Sequence, residues 1–91
     1  MAVEVRLPTI LRPHAGGSSS LAADAGTVHE LVSELVSRHP GLRGQLLGGD
    51  GILHRFVNVY RNDDDIRYLD ALDTKLDDGD VVSFVPAVAG G

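Results

Sequence analysis

The chain has 91 residues, a formal net charge of −5 and neither cysteine nor tryptophan. Its length suits a single domain, and a 43% share of hydrophobic residues is enough for a packed interior. The composition excludes disulfides, thiolate metal sites and cysteine nucleophiles. The acidic balance disfavours nucleic-acid binding, and no apolar run approaches the roughly 20 residues of a membrane-spanning helix.

Two strands are predicted near the start of the chain. Residues 3–7 alternate apolar and polar side chains, which is typical of a half-buried strand. Residues 18–22 predict a weaker second strand, in which Leu21 is the only large apolar side chain. Between them, residues 8–17 are expected to be irregular because prolines and glycines interrupt them.

A helix beginning at Val28 is the clearest element. Thr27 and Glu30 have the spacing of a capping box, and Pro40 with Gly41 ends the helix. The helix carries one apolar stripe, made of Val28, Leu31, Val32, Leu35 and Val36. A further short helical turn is expected within residues 42–47.

The second half of the chain predicts strands and turns. In residues 55–61, alternation places Val57 and Val59 on one face of a strand and Phe56, Asn58 and Tyr60 on the other. The remaining segments are a turn at 62–65, a short strand at 66–68, a turn at 77–80 and a strand at 81–85. The last strand is almost wholly apolar, so we expect it to lie inside the sheet with both faces buried.

This order predicts an α+β fold of the β-grasp, or ubiquitin-like, type. One helix cannot cover two faces of a sheet, so the economical packing is a mixed four- to five-stranded sheet with one main helix across one face. We expect residues 1–85 to form this domain and residues 86–91 to form a flexible, extended C-terminal tail.

Enzymatic and metal chemistry find little support in the sequence. No serine lies in a nucleophile-elbow motif, and the acidic run at 63–65 lacks the pattern of a calcium loop. The glycine-rich residues 48–51 lack the lysine of a phosphate-binding loop. The histidines, which have no metal-ligand spacing, are His14, His29, His39 and His54. We therefore predict no catalytic residue, no bound metal and no bound cofactor.

The C-terminal tail is the remaining candidate site. It consists of Pro86, Ala87, Val88, Ala89, Gly90 and Gly91. Glycines without Cβ atoms allow a chain end to enter a narrow channel and to place its carboxylate beside a nucleotide. Because a free carboxylate is a poor acyl donor, Gly91 would need activation with ATP, and that chemistry would belong to a partner enzyme.

With this tail after an Asp78-Gly79-Asp80 turn and an apolar strand, the sequence resembles the bacterial ubiquitin-like sulfur carriers of the MoaD/ThiS group. The CysO-type carriers of actinobacterial cysteine synthesis are the most similar subtype, on residues 8–14, 53–60 and 86–91. Members that serve molybdopterin synthesis usually have a second proline where this chain has Ala87.

The resemblance implies a sulfur carrier that is not itself an enzyme. We expect it in the cytoplasm, because Glu4 lies where a secretory signal needs an apolar run. An ATP-dependent adenylyltransferase would activate the Gly91 carboxylate, and a sulfur donor would convert it to a thiocarboxylate. A pyridoxal-phosphate enzyme resembling cysteine synthase would then use this sulfur, and a metal-dependent peptidase would release the cysteine. Residues 86–90 would thread the partner's channel.

Partner docking and three alternative functions stay open at this point. Phe56, Asn58 and Tyr60 are expected to dock a partner from the open face of the sheet, or else to pack under the loop at 8–17. The alternatives to a carrier for cysteine are a small subunit of molybdopterin synthase or another sulfur donor such as one for thiosugars, a protein modifier, and an interaction module with an inert tail.

Overall fold

The fold is built on a mixed five-stranded sheet. The computed structural model describes residues 2–49, 53–54 and 57–86. The strands of the sheet, in the spatial order β2-β1-β5-β3-β4, are β1 (Ala2–Arg6), β2 (Ser20–Asp24), β3 (Val57–Arg61), β4 (Asp64–Asp65) and β5 (Val81–Pro86). β1 and β5 are parallel, and the other neighbours are antiparallel. The predicted α+β β-grasp architecture is confirmed, with β5 in the middle of the sheet.

The main helix, α1 (Val28–Arg38), begins where the capping box predicted it. The Thr27 hydroxyl accepts a hydrogen bond from the backbone N–H of Glu30 at 3.1 Å. The predicted helical turn within 42–47 is α2 (Arg43–Leu46). Short 3₁₀ helices occupy Thr9–Ala15, Pro40–Leu42, Ile66–Tyr68 and Ala71–Asp73.

The core lies between α1 and one face of the sheet. From α1 it takes Val28, Leu31, Val32 and Leu35, and from the strands it takes Val3, Val5, Ala23, Val59, Val82 and Phe84. Asn58 and Tyr60 are half-buried and alternate with Val59, so they face away from α1. The predicted division of this strand into two faces therefore agrees with the structure at residues 57–60.

Two local predictions were wrong. Residues 9–15 form a 3₁₀ helix rather than an irregular loop, because burying Leu11 and Ala15 against the core orders the segment. Residues 66–68 form a 3₁₀ helix rather than a strand, and the short β4 lies in the predicted turn. Here the Asp65 side chain accepts the backbone N–H of Arg67 at 2.9 Å, which starts the 3₁₀ helix at Ile66.

The expected burial of β5 on both faces was also wrong. Val82 and Phe84 are buried under α1, whereas Val85, on the other face, is 42% exposed. One helix covers one face only, so the apolar character of β5 exceeds what its burial requires. Pro86, expected to begin the tail, is the last residue of β5 and pairs with Val57. β2 lies two residues beyond its predicted start.

Candidate functional site

The end of β5 is the point from which the predicted tail continues. β5 pairs with β1 through Val81–Ser83 and with β3 over its last five residues. Phe84 is only 2% exposed and anchors the strand in the core two residues before Pro86. A firmly held central strand therefore leads to the tail. The candidate residues Ala87, Val88, Ala89, Gly90 and Gly91 lie outside the described residues.

A polar cluster holds the other end of β5. The Asp80 carboxylate accepts hydrogen bonds from Arg61 Nε at 2.8 Å, from the backbone N–H of Asp77 at 2.8 Å and from Asn62 Nδ2 at 3.2 Å. Gly79 precedes it with a φ of 88°, a conformation that favours glycine, which explains the glycine of the predicted turn. The turn and the beginning of β5 are thus tied to the end of β3.

Electrostatics keep this cluster ionised. Burial by itself raises the pKa of Asp80, but the hydrogen bonds from Asp77 N–H, Arg61 and Asn62 outweigh it, so the pKa lies below the usual range. The pKa of Asp65 is lowered in the same direction, chiefly by the hydrogen bonds from the Arg67 side chain and backbone. Both carboxylates therefore stabilise the fold in their charged forms.

The open face of the sheet next to Pro86 has an exposed apolar residue that the sequence reasoning missed. Val85 lies directly opposite Asn58 in the ladder, and Tyr60 lies opposite Ser83. Val85 therefore shares a face with both predicted docking residues, whereas Phe56 lies outside the described residues. The polar Ser83 within the apolar strand was the signal that one face of β5 is uncovered.

An apolar cleft of about 40 Å³ adjoins the same strand end. Its walls include Pro8 and Ile10 from the segment before β2, together with Val85 and Pro86. Ile10 is 63% exposed. Apolar side chains exposed together at the exit of the tail are suited to contact with another protein.

The described residues show neither a metal-binding cluster nor a membrane-spanning helix. Within residues 2–49, 53–54 and 57–86, no three His, Cys, Asp or Glu residues are grouped so as to hold a metal ion. In the same ranges, no helix has the length and apolar character needed to cross a membrane. The site that the structure supports is therefore the end of β5 and the surface around it.

Comparison with known proteins gives consistent matches over the whole chain. The ThiS family model matches residues 5–91. The sulfur carrier protein CysO of Mycobacterium tuberculosis is 46% identical over 93 residues, covering 100% of both chains. Small archaeal modifier protein 3 of Haloferax volcanii is 38% identical over 93 residues, also covering 100% of both.

A solved structure matches equally well. A chain in the crystal structure of the Amycolatopsis orientalis BexX/CysO complex has a TM-score of 0.89 and 47% identity. The match covers 99% of this chain and 100% of that chain. The likeness therefore extends to the fold as well as the sequence.

Proposed function

The chain belongs to the ThiS family, and we propose that it is a sulfur carrier, a protein co-substrate rather than an enzyme, with Gly91 as the residue that bears the sulfur. The observation that carries this proposal is the 46% identity with CysO of M. tuberculosis, which is named a sulfur carrier protein, over the full length of both chains. The alignment thereby includes residues 86–91, on which the chemistry depends.

The proposed loading has two steps, both performed by a partner adenylyltransferase. An oxygen of the Gly91 carboxylate attacks the α-phosphorus of ATP, and pyrophosphate leaves. A sulfide sulfur from a donor then attacks the acyl carbon of the adenylate, and AMP leaves with the bridging oxygen. The covalent intermediate divides a difficult exchange of oxygen for sulfur into two feasible steps and leaves a thiocarboxylate.

The residues around the tail suit this role. Pro86 ends a strand held by β3, and the side chains that follow in the sequence are small up to the two glycines. Two glycines present no Cβ to the walls of a channel. We therefore propose that residues 86–90 thread the partner's channel and deliver Gly91 to its nucleotide.

The open face beside the tail is the proposed docking surface for the activating enzyme. Val85, Asn58 and Tyr60 share this face, and aromatic side chains are favoured anchors of protein interfaces. The complex of A. orientalis CysO with BexX supports a protein partner for a relative of this chain. Phe56 belongs to the same proposal by its position in the sequence.

The proposed acceptor of the sulfur is a precursor of cysteine. A pyridoxal-phosphate enzyme resembling cysteine synthase would transfer the sulfur to an activated serine, and a metal-dependent peptidase would release the cysteine from the carrier. Tethered sulfur is presented to the enzyme at a high effective concentration, so free sulfide need not be captured. We propose the cytoplasm as the compartment.

Intact-mass spectrometry tests the proposal. The protein is incubated with the adenylyltransferase of its host, ATP and sulfide. The expected result is the mass increase of one oxygen replaced by one sulfur, with fragment ions that assign it to Gly91. A matched control adds one alanine after Gly91 and should stay unmodified. An unchanged mass of the unextended protein, or equal loading of the extended control, contradicts the proposal.

A protein modifier is the second candidate function. The 38% identity with a small archaeal modifier protein over the full length of both chains favours it. In that case Gly91 would form isopeptide bonds with lysines of other proteins. Digestion of host extracts distinguishes the two functions, since a modifier leaves a C-terminal remnant on target lysines and a dedicated carrier leaves none.

A further inference from the structure

Two side chains of α1 cover the outer edge of β2. The Ser19 carbonyl accepts a hydrogen bond from the N–H of Leu7, so the backbone polar groups of Ser19 point toward β1. Because successive strand residues alternate in direction, Ser20, Ala22 and Asp24 direct theirs toward the outer edge of the sheet. An edge of this kind is open to pairing with another chain unless something covers it.

Two charged side chains of α1, which pair with each other, form hydrogen bonds with outward backbone groups of β2. Arg38 Nη1 donates to the Ala22 carbonyl at 2.7 Å, and the Asp24 backbone N–H donates to Glu34 Oε1 at 3.2 Å. Arg38 and Glu34 are also joined to each other, with Nη1 and Oε2 separated by 2.9 Å. They lie four residues apart on α1, and hence on the same side of the helix.

The pair takes the place of a residue in a sixth strand. In a parallel ladder, an added residue donates its N–H to one carbonyl of the edge strand and accepts the N–H two residues further on. The Ala22 carbonyl and the Asp24 N–H have this spacing around Ala23. The guanidinium of Arg38 serves as the donor and the carboxylate of Glu34 as the acceptor.

We propose that the Glu34–Arg38 pair is a cap on a self-pairing edge, and that without the cap a second copy of this chain adds antiparallel to β2. An antiparallel pairing centred on Ala22 places each Asp24 opposite Ser20 of the other copy. Like charges therefore do not meet, and each outward backbone group finds a partner. A two-fold arrangement uses the same surface on both copies, so it closes as a dimer.

This edge is the longer of the two that end the described sheet. β4, at the other end, has two residues, whereas β2 has five. β1 also separates β2 from β5, so pairing through β2 leaves the end of β5 accessible. The proposal concerns association and does not depend on sulfur chemistry at Gly91.

The test removes the cap and measures association. The E34A/R38A variant keeps the net charge, as does the control E4A/R6A, which removes another exposed ion pair from the same sheet. Sedimentation velocity from about 10 μM to about 1 mM compares both with the wild type. We expect the uncapped variant to dimerise with rising concentration and the other two proteins not to.

Hydrogen exchange and a third variant locate the interface. At low concentration, the Asp24 amide of the uncapped variant should exchange at least about tenfold faster than in the wild type, because its charged acceptor is gone. Adding A22P removes the central outward N–H and should restore the monomer, since proline is tolerated on edge strands. If E34A/R38A unfolds, E34M/R38M, which removes both charged groups but keeps the aliphatic stems and the net charge, replaces it.

Three results with the variants overturn the proposal. They are an uncapped variant no more associated than E4A/R6A, a dimer that A22P leaves intact, and an unchanged exchange rate at Asp24. A synthetic peptide of residues 18–26 should compete with the dimer. An unrelated extended peptide that competes equally well would mean that the edge accepts any strand and would also refute self-pairing.

Discussion

Replacing Asp80 with asparagine should destabilise the protein by about 2–3 kcal/mol at pH 7. The Asp80 side chain is 11% exposed and accepts three hydrogen bonds, one of them from Arg61 at 2.8 Å. The asparagine of D80N has almost the same shape as Asp80, but it is uncharged and its amide NH₂ would replace an oxygen that now accepts a hydrogen bond. A broken buried pair typically costs 3–5 kcal/mol, and the 27% exposure of the Arg61 side chain reduces this cost.

Urea unfolding at several pH values is the assay. Because the folded-state pKa of Asp80 lies below its unfolded value of about 3.9, the carboxylate stabilises the fold above that pH. This stabilisation is lost as the pH falls through the folded-state pKa. The difference between wild type and D80N should therefore narrow from pH 7 to pH 3.

The control is D73N, at an exposed aspartate of a 3₁₀ helix, which should change the free energy of unfolding by less than about 0.5 kcal/mol. A D80N loss as small as that of the control, or a difference from wild type that is equal at pH 7 and pH 3, would refute the reasoning.

Three further outcomes are expected. Thr27→Ala removes the N-cap hydroxyl and should lower the free energy of unfolding in urea by about 1 kcal/mol, whereas T27S, which keeps a hydroxyl, should lose much less. Equal losses in the two variants would contradict the capping role. Ala71 has a φ of 52°, so A71G should stabilise by about 0.5–1 kcal/mol, because it relieves strain of about 1–2 kcal/mol at some cost in unfolded-chain entropy; a destabilised variant would contradict this. In adenylation kinetics, Tyr60→Ser combined with Val85→Ser should raise KM about tenfold, while the equally folded Y68S should not; an unchanged KM would contradict docking on the open face.

The accuracy of the sequence predictions followed how local each determinant is. α1 was predicted correctly because its cap, apolar stripe and terminator are all encoded within the helix and its flanks. The 3₁₀ helix at Thr9–Ala15 depends on burying Leu11 and Ala15 under distant elements, which no local pattern reveals. β4, with two residues, is too short to produce a periodic signal.

The candidate site was predictable in part for the same reason. The tail is a local pattern in the sequence, so the sequence alone proposes it, and it stays a prediction because residues 87–91 lie outside the described residues. The exposure of Val85 depends on which face α1 covers, and an almost wholly apolar strand conceals that choice. The Glu34–Arg38 cap was also missed, since an i,i+4 ion pair on a helix gives no indication of the strand beside it.

The pairing of β5 suggests why its end is suited to present a tail. Val81–Ser83 pair with β1 on one side, and Val82 and Ser83 also pair with β3 on the other. From Phe84 to Pro86, β3 is the only strand that pairs with β5 within the described ranges. Pairing with β3 fixes the direction of these last residues of β5, and because no described strand lies on their other side, the end of β5 is narrower than the middle of the sheet. A partner can thereby approach the strand end from the side on which β1 has ended, without first opening the sheet.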